Sequence, residues 1–209
     1  MKAHEMAKVI FEGVKSLKPK EDRTLIAIAG PPGSGKSTVA EIVTDLMNEN
    51  LMKTSLVPMD GFHLDNKTLE RKNLFDRKGA PETFDVKGFI ELIKKLRYKR
   101  NSSVPLFDRT LDEVVNNARK ISSEQEYLVI EGNYLLLNKD LWRDLDDYWD
   151  YKVFLSVDKS LLKSRLIERW IGENHTYSEA ETRVIKNDLV NADVVNSNRL
   201  EATLELQTG

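Results

Sequence analysis

The stretch Thr24-Leu-Ile-Ala-Ile-Ala-Gly-Pro-Pro-Gly-Ser-Gly-Lys-Ser37 decides the fold of this chain. Its first six residues are an unbroken apolar run, which is typical of a strand buried on both faces of a sheet. Residues 30–37 then match the pattern G-x-x-x-x-G-K-[ST] at every required position. Apolar residues at helical spacing between Val39 and Met47 predict a helix directly afterwards. Strand, glycine-rich loop and helix in this order predict a site for the phosphates of a nucleoside triphosphate.

Each residue type in this loop has a physical role. The glycines let backbone N–H groups close around phosphate oxygens, and the dipole of the following helix adds positive charge. Lys36 can reach the β- and γ-phosphates, and Ser37 can bind Mg²⁺. The alternative, a chance glycine-rich turn, is disfavoured by the flanking strand and helix. The predicted nucleotide-binding residues are Gly30, Pro31, Pro32, Gly33, Ser34, Gly35, Lys36, Ser37 and Thr38.

Outside this segment, predicted strands alternate with predicted helices. Further strands are expected at 54–60, 127–130 and 151–157. Further helices are expected at 3–17, where Pro19 ends the helix, and at 86–98. Two more helices are expected to begin after an N-cap at Asp158 and at a capping box that starts with Ser178. The alternation favours an α/β fold, a P-loop-type three-layer sandwich with a mostly parallel sheet. We expect residues 1–209 to form a single domain. Two polar stretches interrupt the pattern: an excursion over about 61–85 and a helical lid over about 165–187.

Composition excludes several classes of protein. The 209 residues include no Cys, which excludes disulfides, cysteine-bound zinc, iron–sulfur clusters and a thiol nucleophile. The formal charge is −2, from 32 Lys and Arg against 34 Asp and Glu, so we expect no nucleic-acid partner. No segment has the roughly 20 apolar residues that cross a bilayer, so we expect no membrane partner and a cytoplasmic location. The amphipathic helix over 3–17 could pack on its own core or on a second copy, which leaves a homodimer open.

Four charged residues are candidates for catalysis or metal binding. Asp60 ends the second strand, where it could take the proton of a hydroxyl acceptor, or could only cap an Asp-Gly turn. Glu131 ends the third strand and could hold Mg²⁺ together with Ser37, or could be a solvated acid. Arg165 and Arg169 share a helix face at the start of the lid region and could stabilise charge on a transferring phosphate, or could be a surface pair.

Five segments together resemble one known family. They are the phosphate loop, Met59-Asp-Gly-Phe-His63, Arg77-Lys-Gly-Ala-Pro-Glu-Thr-Phe-Asp85, Val104-Pro-Leu-Phe-Asp108 and Ile130-Glu-Gly132. Their order resembles the phosphoribulokinase/uridine kinase family, which includes bacterial pantothenate kinase, and is most similar to its nucleoside kinase-like or fructose-transport-system kinase-like branch. The resemblance implies a kinase with ATP and Mg²⁺ as cofactors and a small-molecule substrate.

The resemblance also implies roles for single residues. It makes Asp60 the catalytic base, and it makes Asp85 an acidic residue that binds sugar hydroxyls. Arg77 and Lys78 could bind an anionic group of the substrate, and Arg109 could do the same; without the family match they would be ordinary solvated charges. His63 could touch substrate or be a partly exposed loop residue.

The function expected from these residues is transfer of the γ-phosphoryl group of ATP to a hydroxyl of a nucleoside or sugar. Two alternatives stay open within the same chemistry: a pantothenate kinase-like vitamin kinase, and a P-loop ATPase without a small-molecule acceptor. A third is a regulatory module that binds nucleotide and does no chemistry.

Overall fold

The computed structural model of the chain describes residues 1–18, 20–98 and 100–209. Pro19, the predicted end of the first helix, lies outside them. In chain order the helices and strands are α1 (Ala3–Lys15), β1 (Thr24–Ala29), α2 (Lys36–Glu49), β2 (Thr54–Pro58), α3 (Asn66–Arg71), α4 (Val86–Arg97), β3 (Ser102–Asp108), β4 (Glu113–Ile121), β5 (Tyr127–Gly132), β6 (Tyr151–Val157), α5 (Lys159–Gly172), α6 (Tyr177–Arg183), α7 (Leu189–Ser197) and β7 (Leu204–Thr208).

The central sheet has the strand order β2-β5-β1-β6-β7, and its neighbouring strands are paired in parallel. The buried strand β1 lies in the middle, as its continuous apolar run predicts. Pro58 sits at the end of β2, an edge strand, where the missing N–H interrupts no pairing on the outer side. The predicted α/β fold with a mostly parallel sheet is confirmed, and β7 extends it by a strand that the sequence analysis did not identify.

Helices cover both faces of this sheet. Along β1, Leu25 and Ala27 alternate with Ile26 and Ile28, so successive side chains enter different apolar clusters. One cluster includes the buried face of α4, and the other includes those of α1 and α2. Helix α1 therefore packs on the core of its own chain. Among the ranges that the structure covers, no helix is long and apolar enough to cross a membrane.

Strands β3 and β4 form a separate antiparallel hairpin beside the sheet, which the sequence analysis did not predict. The pairing shifts register between Val104 and Leu106, at Pro105, which has no N–H to donate. The hairpin lies close to the turn after β2: a Cβ atom on Gly61 would stand 2.2 Å from the Pro105 carbonyl oxygen. A residue without a side chain is thus required where the hairpin crosses this turn.

The C-terminal helices lie beside the hairpin-bearing end of the sheet. Asp158 is the N-cap residue of α5, as predicted, although its side chain does not cap the helix. The predicted capping box at Ser178 is wrong, because Thr176 caps α6 and exchanges hydrogen bonds with Glu179. A π-helical turn over Val184–Asp188 joins α6 to α7. Such turns insert one residue into a helix and redirect the side chains around it.

A charged cluster joins α4 to the sheet. Arg97 and Asp150 form an ion pair in which Asp150 Oδ1 also accepts from Arg97 Nη2 at 3.0 Å. Lys20 pairs with the same carboxylate. Asp150 Oδ2 also accepts a hydrogen bond from Leu25 N–H at 2.8 Å. The Asp150 side chain is only 5% exposed. Burial disfavours its ionised form, but these hydrogen bonds outweigh burial and hold the pKa of Asp150 below its usual value.

Candidate active site

A cavity of about 270 Å³ lies at the carboxyl ends of β1, β2 and β5. Ligands of open parallel sheets bind at this edge. The structure brings together there most of the residues predicted from sequence to form the site: Pro32, Gly33, Gly35, Lys36, Ser37, Thr38, Asp60, His63, Lys78, Arg109, Glu131 and Arg169.

The phosphate loop turns sharply between β1 and α2. Gly33 and Gly35 have φ angles of 80° and 82°, in the left-handed region that glycine tolerates best. Gly35 is the N-cap residue of α2, and Lys36 is the first residue of that helix. Burial lowers the pKa of Lys36, against the opposing effect of the nearby Glu131 and Asp60 carboxylates. The loop therefore presents a cation and a helix N-terminus to the same cavity.

Ser37 and Glu131 form the candidate metal position. Ser37 Oγ donates to Glu131 Oε2 at 3.1 Å, although Glu131 belongs to β5 and Ser37 to α2. Glu131 is 4% exposed, and burial raises its pKa to about 7 while Lys36 opposes the rise. A hydroxyl beside a carboxylate is a ligand pair that Mg²⁺ accepts. Within the described residues no group of three or more His, Asp or Glu could hold a metal ion, so further ligands would come from nucleotide oxygens and water.

Asp60 faces the cavity from a turn of 3₁₀ helix, Met59–Phe62, directly after β2. Its Oδ2 lies 3.0 Å from Arg109 Nη2, in the tip of the β3–β4 hairpin. His63 Nδ1 donates to the Asp60 carbonyl oxygen at 2.7 Å, which braces the turn. Burial lowers the pKa of His63 below its usual value. The Asp60 carboxylate thus lies on a turn that His63 stabilises, and the Arg109 guanidinium of the hairpin lies beside it.

Lys78 is tied into the wall of the cavity. Its ammonium group, with a side chain 9% exposed, donates to Asn66 Oδ1 at 2.7 Å and lies 2.7 Å from Asp112 Oδ1. It also stands 5.1 Å from the centre of the Phe107 ring. These contacts fasten the tip of the hairpin to the excursion that follows β2.

Helices α5 and α6 contribute two arginines and an aromatic group to the cavity. Arg169 and Trp170, near the end of α5, line the cavity together with Arg183 of α6. The Arg183 guanidinium lies 4.1 Å from the centre of the Trp170 ring, and that of Arg169 lies 5.3 Å away. Trp170 Nε1 donates to Asp188 Oδ2 at 2.7 Å, and burial raises the pKa of Asp188. The π-helical turn before α7 therefore holds Trp170 in place.

Three charged residues of the predicted site lie outside this cavity. Arg165 donates to Thr208 Oγ1 at 3.0 Å and to the Gly209 carbonyl at 3.1 Å. Arg77 donates to the side-chain oxygens of Asn187 and Asn191, and Asp85 caps α4 by accepting from Gly88 N–H. The remaining predicted residues outside the lining are part of the phosphate loop: Gly30, Pro31 and Ser34.

The cavity also includes polar residues that sequence reasoning did not identify. They are Asp112, Asn133, Trp170, Arg183, Asp188 and Asn191. Asn133 follows Glu131 by two residues, so its place after a strand end was a usable signal. The others lie on the hairpin and on the helical segments from α5 to α7, whose approach to the sheet depends on tertiary packing.

A buried strand, a phosphate loop and two strand-end acids around one cavity define a P-loop phosphotransferase. The model of the phosphoribulokinase/uridine kinase family matches residues 25–189. The chain belongs to this family. It is a kinase that acts on small molecules, with an alcohol group as phosphoryl acceptor.

Individual relatives agree with this assignment. The chain is 38% identical to a solved structure from Silicibacter sp. TM1040 described as a "putative fructose transport system kinase", with a TM-score of 0.91 over 99% of each chain. It is 32% identical to "Putative uridine kinase C227.14" of Schizosaccharomyces pombe, over 95% of this chain and 88% of that protein. It is also 28% identical to a pantothenate kinase of Ligilactobacillus salivarius, over 77% of this chain but 52% of that protein.

Proposed function

We propose that this kinase uses ATP and Mg²⁺ to phosphorylate a hydroxyl of a nucleoside or sugar. The observation that carries the proposal is the meeting of Asp60, Lys36 and Glu131 in one cavity, although they come from three separate elements. A phosphate-binding cation, an acid suited to a metal and a carboxylate for the acceptor are the parts that phosphoryl transfer needs.

Asp60 is the proposed base. The acceptor oxygen forms a bond to the γ-phosphorus while the bond between that phosphorus and the β–γ bridging oxygen breaks. The proton of the acceptor hydroxyl passes to the Asp60 carboxylate. The transition state of such a transfer is loose, so the enzyme contributes mainly positioning and charge stabilisation. Arg109 Nη2 lies 3.0 Å from Asp60 Oδ2, so it would orient the carboxylate toward the acceptor hydroxyl.

Charge on the phosphates would be balanced by Lys36 of the phosphate loop and Arg169 of α5, which both line the cavity. Ser37 and Glu131 would hold Mg²⁺, which when bound neutralises phosphate oxygens as the leaving group departs. Closure of the lid over the cavity would exclude water, which otherwise competes as acceptor.

A smaller cavity is a candidate space for the base of the nucleotide. It measures about 180 Å³, shares Gly33, Gly35 and Thr38 with the first, and is also lined by Arg165. A triphosphate wrapped by the loop, with its γ-phosphate toward Asp60, would direct its base into this second space. Arg165, held by Thr208, offers a planar cation there for stacking on the base.

The test is ADP release with a panel of nucleosides, monosaccharides and pantothenate-like alcohols. We expect at least one compound to stimulate release, and Asp60→Asn to lower kcat by about 10²–10⁴-fold with nearly unchanged ATP affinity. Asp76→Asn, which removes the same charge at an exposed position, is the control. An ATPase without acceptor would release ADP at one rate whatever was added, and a regulatory module would release none.

Other expectations remain proposals of the same kind. They are a single domain over 1–209, a cytoplasmic location and the absence of nucleic-acid and membrane partners. Whether the protein forms a homodimer stays open.

A further inference from the structure

Five Lys and Arg side chains line the cavity, and three of them are already paired with a carboxylate. The pairs are Lys78 with Asp112, Arg109 with Asp60 and Arg169 with Glu173. Within the part of the chain that the structure describes, Lys36 and Arg183 form no ion pair. Lys36 begins the helix after the phosphate loop, and Arg183 ends α6. Arg183 therefore brings a charge to the cavity that no carboxylate of the described residues neutralises.

The acidic residues nearest to Arg183 along α6 are bound elsewhere. Glu181 Oε1 lies 2.7 Å from Lys163 Nζ, and Glu179 Oε2 accepts from Thr176 N–H at 2.9 Å. Arg183 instead contacts an aromatic face, because its guanidinium lies 4.1 Å from the centre of the Trp170 ring. Cation–π attraction holds a guanidinium on such a face and leaves its N–H groups available as donors.

The Trp170 ring is itself held in one orientation. Its Nε1 donates to Asp188 Oδ2 at 2.7 Å, and Asp188 is buried. Asn187, the preceding residue, accepts from Arg77 Nη1 at 2.7 Å and donates to the Lys78 carbonyl oxygen at 2.9 Å. Asn187 and Asp188 both belong to the π-helical turn before α7. The turn is therefore anchored on the excursion after β2, and it fixes the indole from below α5.

Helix α5 packs directly on the phosphate loop. A Cβ atom on Gly33 would stand 3.1 Å from Leu166 Cδ2 and 3.2 Å from Leu162 Cδ1. Trp170 follows Leu166 by four residues, so it lies on the same helix face one turn further along. Because Arg183 stacks on this ring, its guanidinium reaches the cavity from the helix that carries the phosphate loop's own packing partners. This places the unpaired cation on the phosphate side of the site.

We propose that Arg183 is a further catalytic residue, which donates to the γ-phosphate of the nucleotide and stabilises the charge that develops during transfer. Trp170 and Asp188 are positioning residues. Asp188 orients the indole through its N–H, and the indole face holds the guanidinium. This inference rests on the proposed function, because it adds a cation to the phosphate site of that reaction.

The test measures nucleotide binding to the full chain by isothermal titration calorimetry with Mg²⁺. The two probes are AMP-PNP, an ATP analogue that resists hydrolysis, and ADP. Arg183→Ala should raise the Kd of AMP-PNP about tenfold or more, because it removes charge-assisted hydrogen bonds to the γ-phosphate. The Kd of ADP should stay nearly unchanged, since ADP lacks that phosphate. Arg143→Ala, which removes an exposed arginine outside the cavity, is the matched control and should change neither Kd.

A double-mutant cycle tests the positioning role. Trp170→Leu should raise the Kd of AMP-PNP about threefold when Arg183 is present and add nothing in Arg183→Ala, because both residues act through one contact. A loss of fold stability alone would act equally in both backgrounds. Asp188→Leu should behave like Trp170→Leu. Asp188→Asn should bind AMP-PNP at least as tightly as the wild-type protein, because an amide oxygen still accepts the indole N–H.

The outcomes separate this inference from the proposed function. Equal increases in the Kd of AMP-PNP and ADP in Arg183→Ala, or no increase in either, overturn the phosphate contact. An equal effect of Trp170→Leu with and without Arg183 overturns the positioning role. None of these measurements uses an acceptor. If no alcohol stimulates ADP release while Arg183→Ala still discriminates AMP-PNP from ADP, the kinase proposal falls and the phosphate contact stands.

Discussion

Arg165 and Arg169 lie one turn apart on α5, yet they face different cavities. Arg169 lines the cavity that contains Asp60, whereas Arg165 lines the smaller one beyond the phosphate loop and donates to Thr208. Four residues advance a helix by slightly more than one turn, so the phosphate loop can separate the two guanidinium groups.

This separation predicts different kinetic effects for the two arginines. Arg169→Ala should lower kcat by about 10²–10³-fold, because it removes a cation beside the transferring phosphate. Arg165→Ala should raise the KM for ATP about tenfold and change kcat less than threefold, because it acts on the nucleotide in ground and transition states alike. Steady-state kinetics with ATP varied at saturating acceptor measures both. Equal losses of kcat in the two variants would contradict the assignment.

Glu131→Gln should separate metal binding from stability. The variant keeps the shape of the side chain but removes the charge that Mg²⁺ would need, so the Mg²⁺ concentration for half-maximal activity should rise about tenfold or more. The free energy of unfolding should not fall, since burial already disfavours the charged form of this carboxyl. Mg²⁺ titration of activity and urea unfolding measure the two quantities. Glu124→Gln, at an exposed ion pair with Lys53, should change neither.

Gly61→Ala should damage both activity and stability. The added Cβ would stand 2.2 Å from the Pro105 carbonyl oxygen, so the hairpin or the Asp60 turn must move. Displacement of a catalytic group by about 1 Å can cost on the order of 10²-fold in rate. Gly172→Ala is the control: its Cβ meets nothing within 4 Å, and alanine should stabilise the end of α5 by a few tenths of a kcal/mol to about 1 kcal/mol. Wild-type kcat in Gly61→Ala would show that the turn tolerates the methyl group.

Asp150→Asn should destabilise the fold at neutral pH without changing the KM for ATP. It leaves the Arg97 guanidinium without its carboxylate in a largely buried setting, which costs about 3 kcal/mol. Urea unfolding at pH 7 measures this loss. The carboxylate lies at the opposite end of the sheet from the cavity, since it precedes β6 and hydrogen-bonds the start of β1.

The same variant should change the pH dependence of stability. The folded state lowers the pKa of Asp150, so its ionised form contributes fully above the unfolded pKa of about 3.9. That contribution is lost as the pH falls through the lower folded-state pKa. The stability gap between the wild-type protein and Asp150→Asn should therefore narrow below about pH 4. A gap that stays constant down to pH 3 would mean that folding does not lower the pKa of Asp150.

The parts of the fold that sequence predicted are those with a strong periodic signal. The apolar run of β1 and the stripe of α4 decide their elements locally, and both are found where expected. Most residues of β4 are polar and exposed, and β3 contains Pro105, so alternation did not reveal the hairpin. Strand β7 is short, and it pairs with β6 only because the chain returns to that edge. Its residues alone do not indicate this pairing.

Some residues of the site could likewise be predicted from sequence, and others could not. Residues at strand ends, such as Asp60 and Glu131, could be predicted to meet because parallel strands end at one edge. The separation of Arg165 from Arg169 could not be predicted from sequence, because it depends on how the phosphate loop packs against α5. The resemblance implies a substrate-binding role for Asp85, whereas its side chain caps α4 in the structure.

The outer edge of β2 has a consequence for how this molecule behaves at high concentration. Pro58 offers no donor there, and Arg119 of the hairpin covers the strand by donating to the Leu56 carbonyl oxygen. An incoming chain would need both of those backbone positions to add itself to the sheet. This lateral edge of the sheet is thereby protected from pairing with another chain, and loss of the Arg119 side chain would expose it to cross-β aggregation.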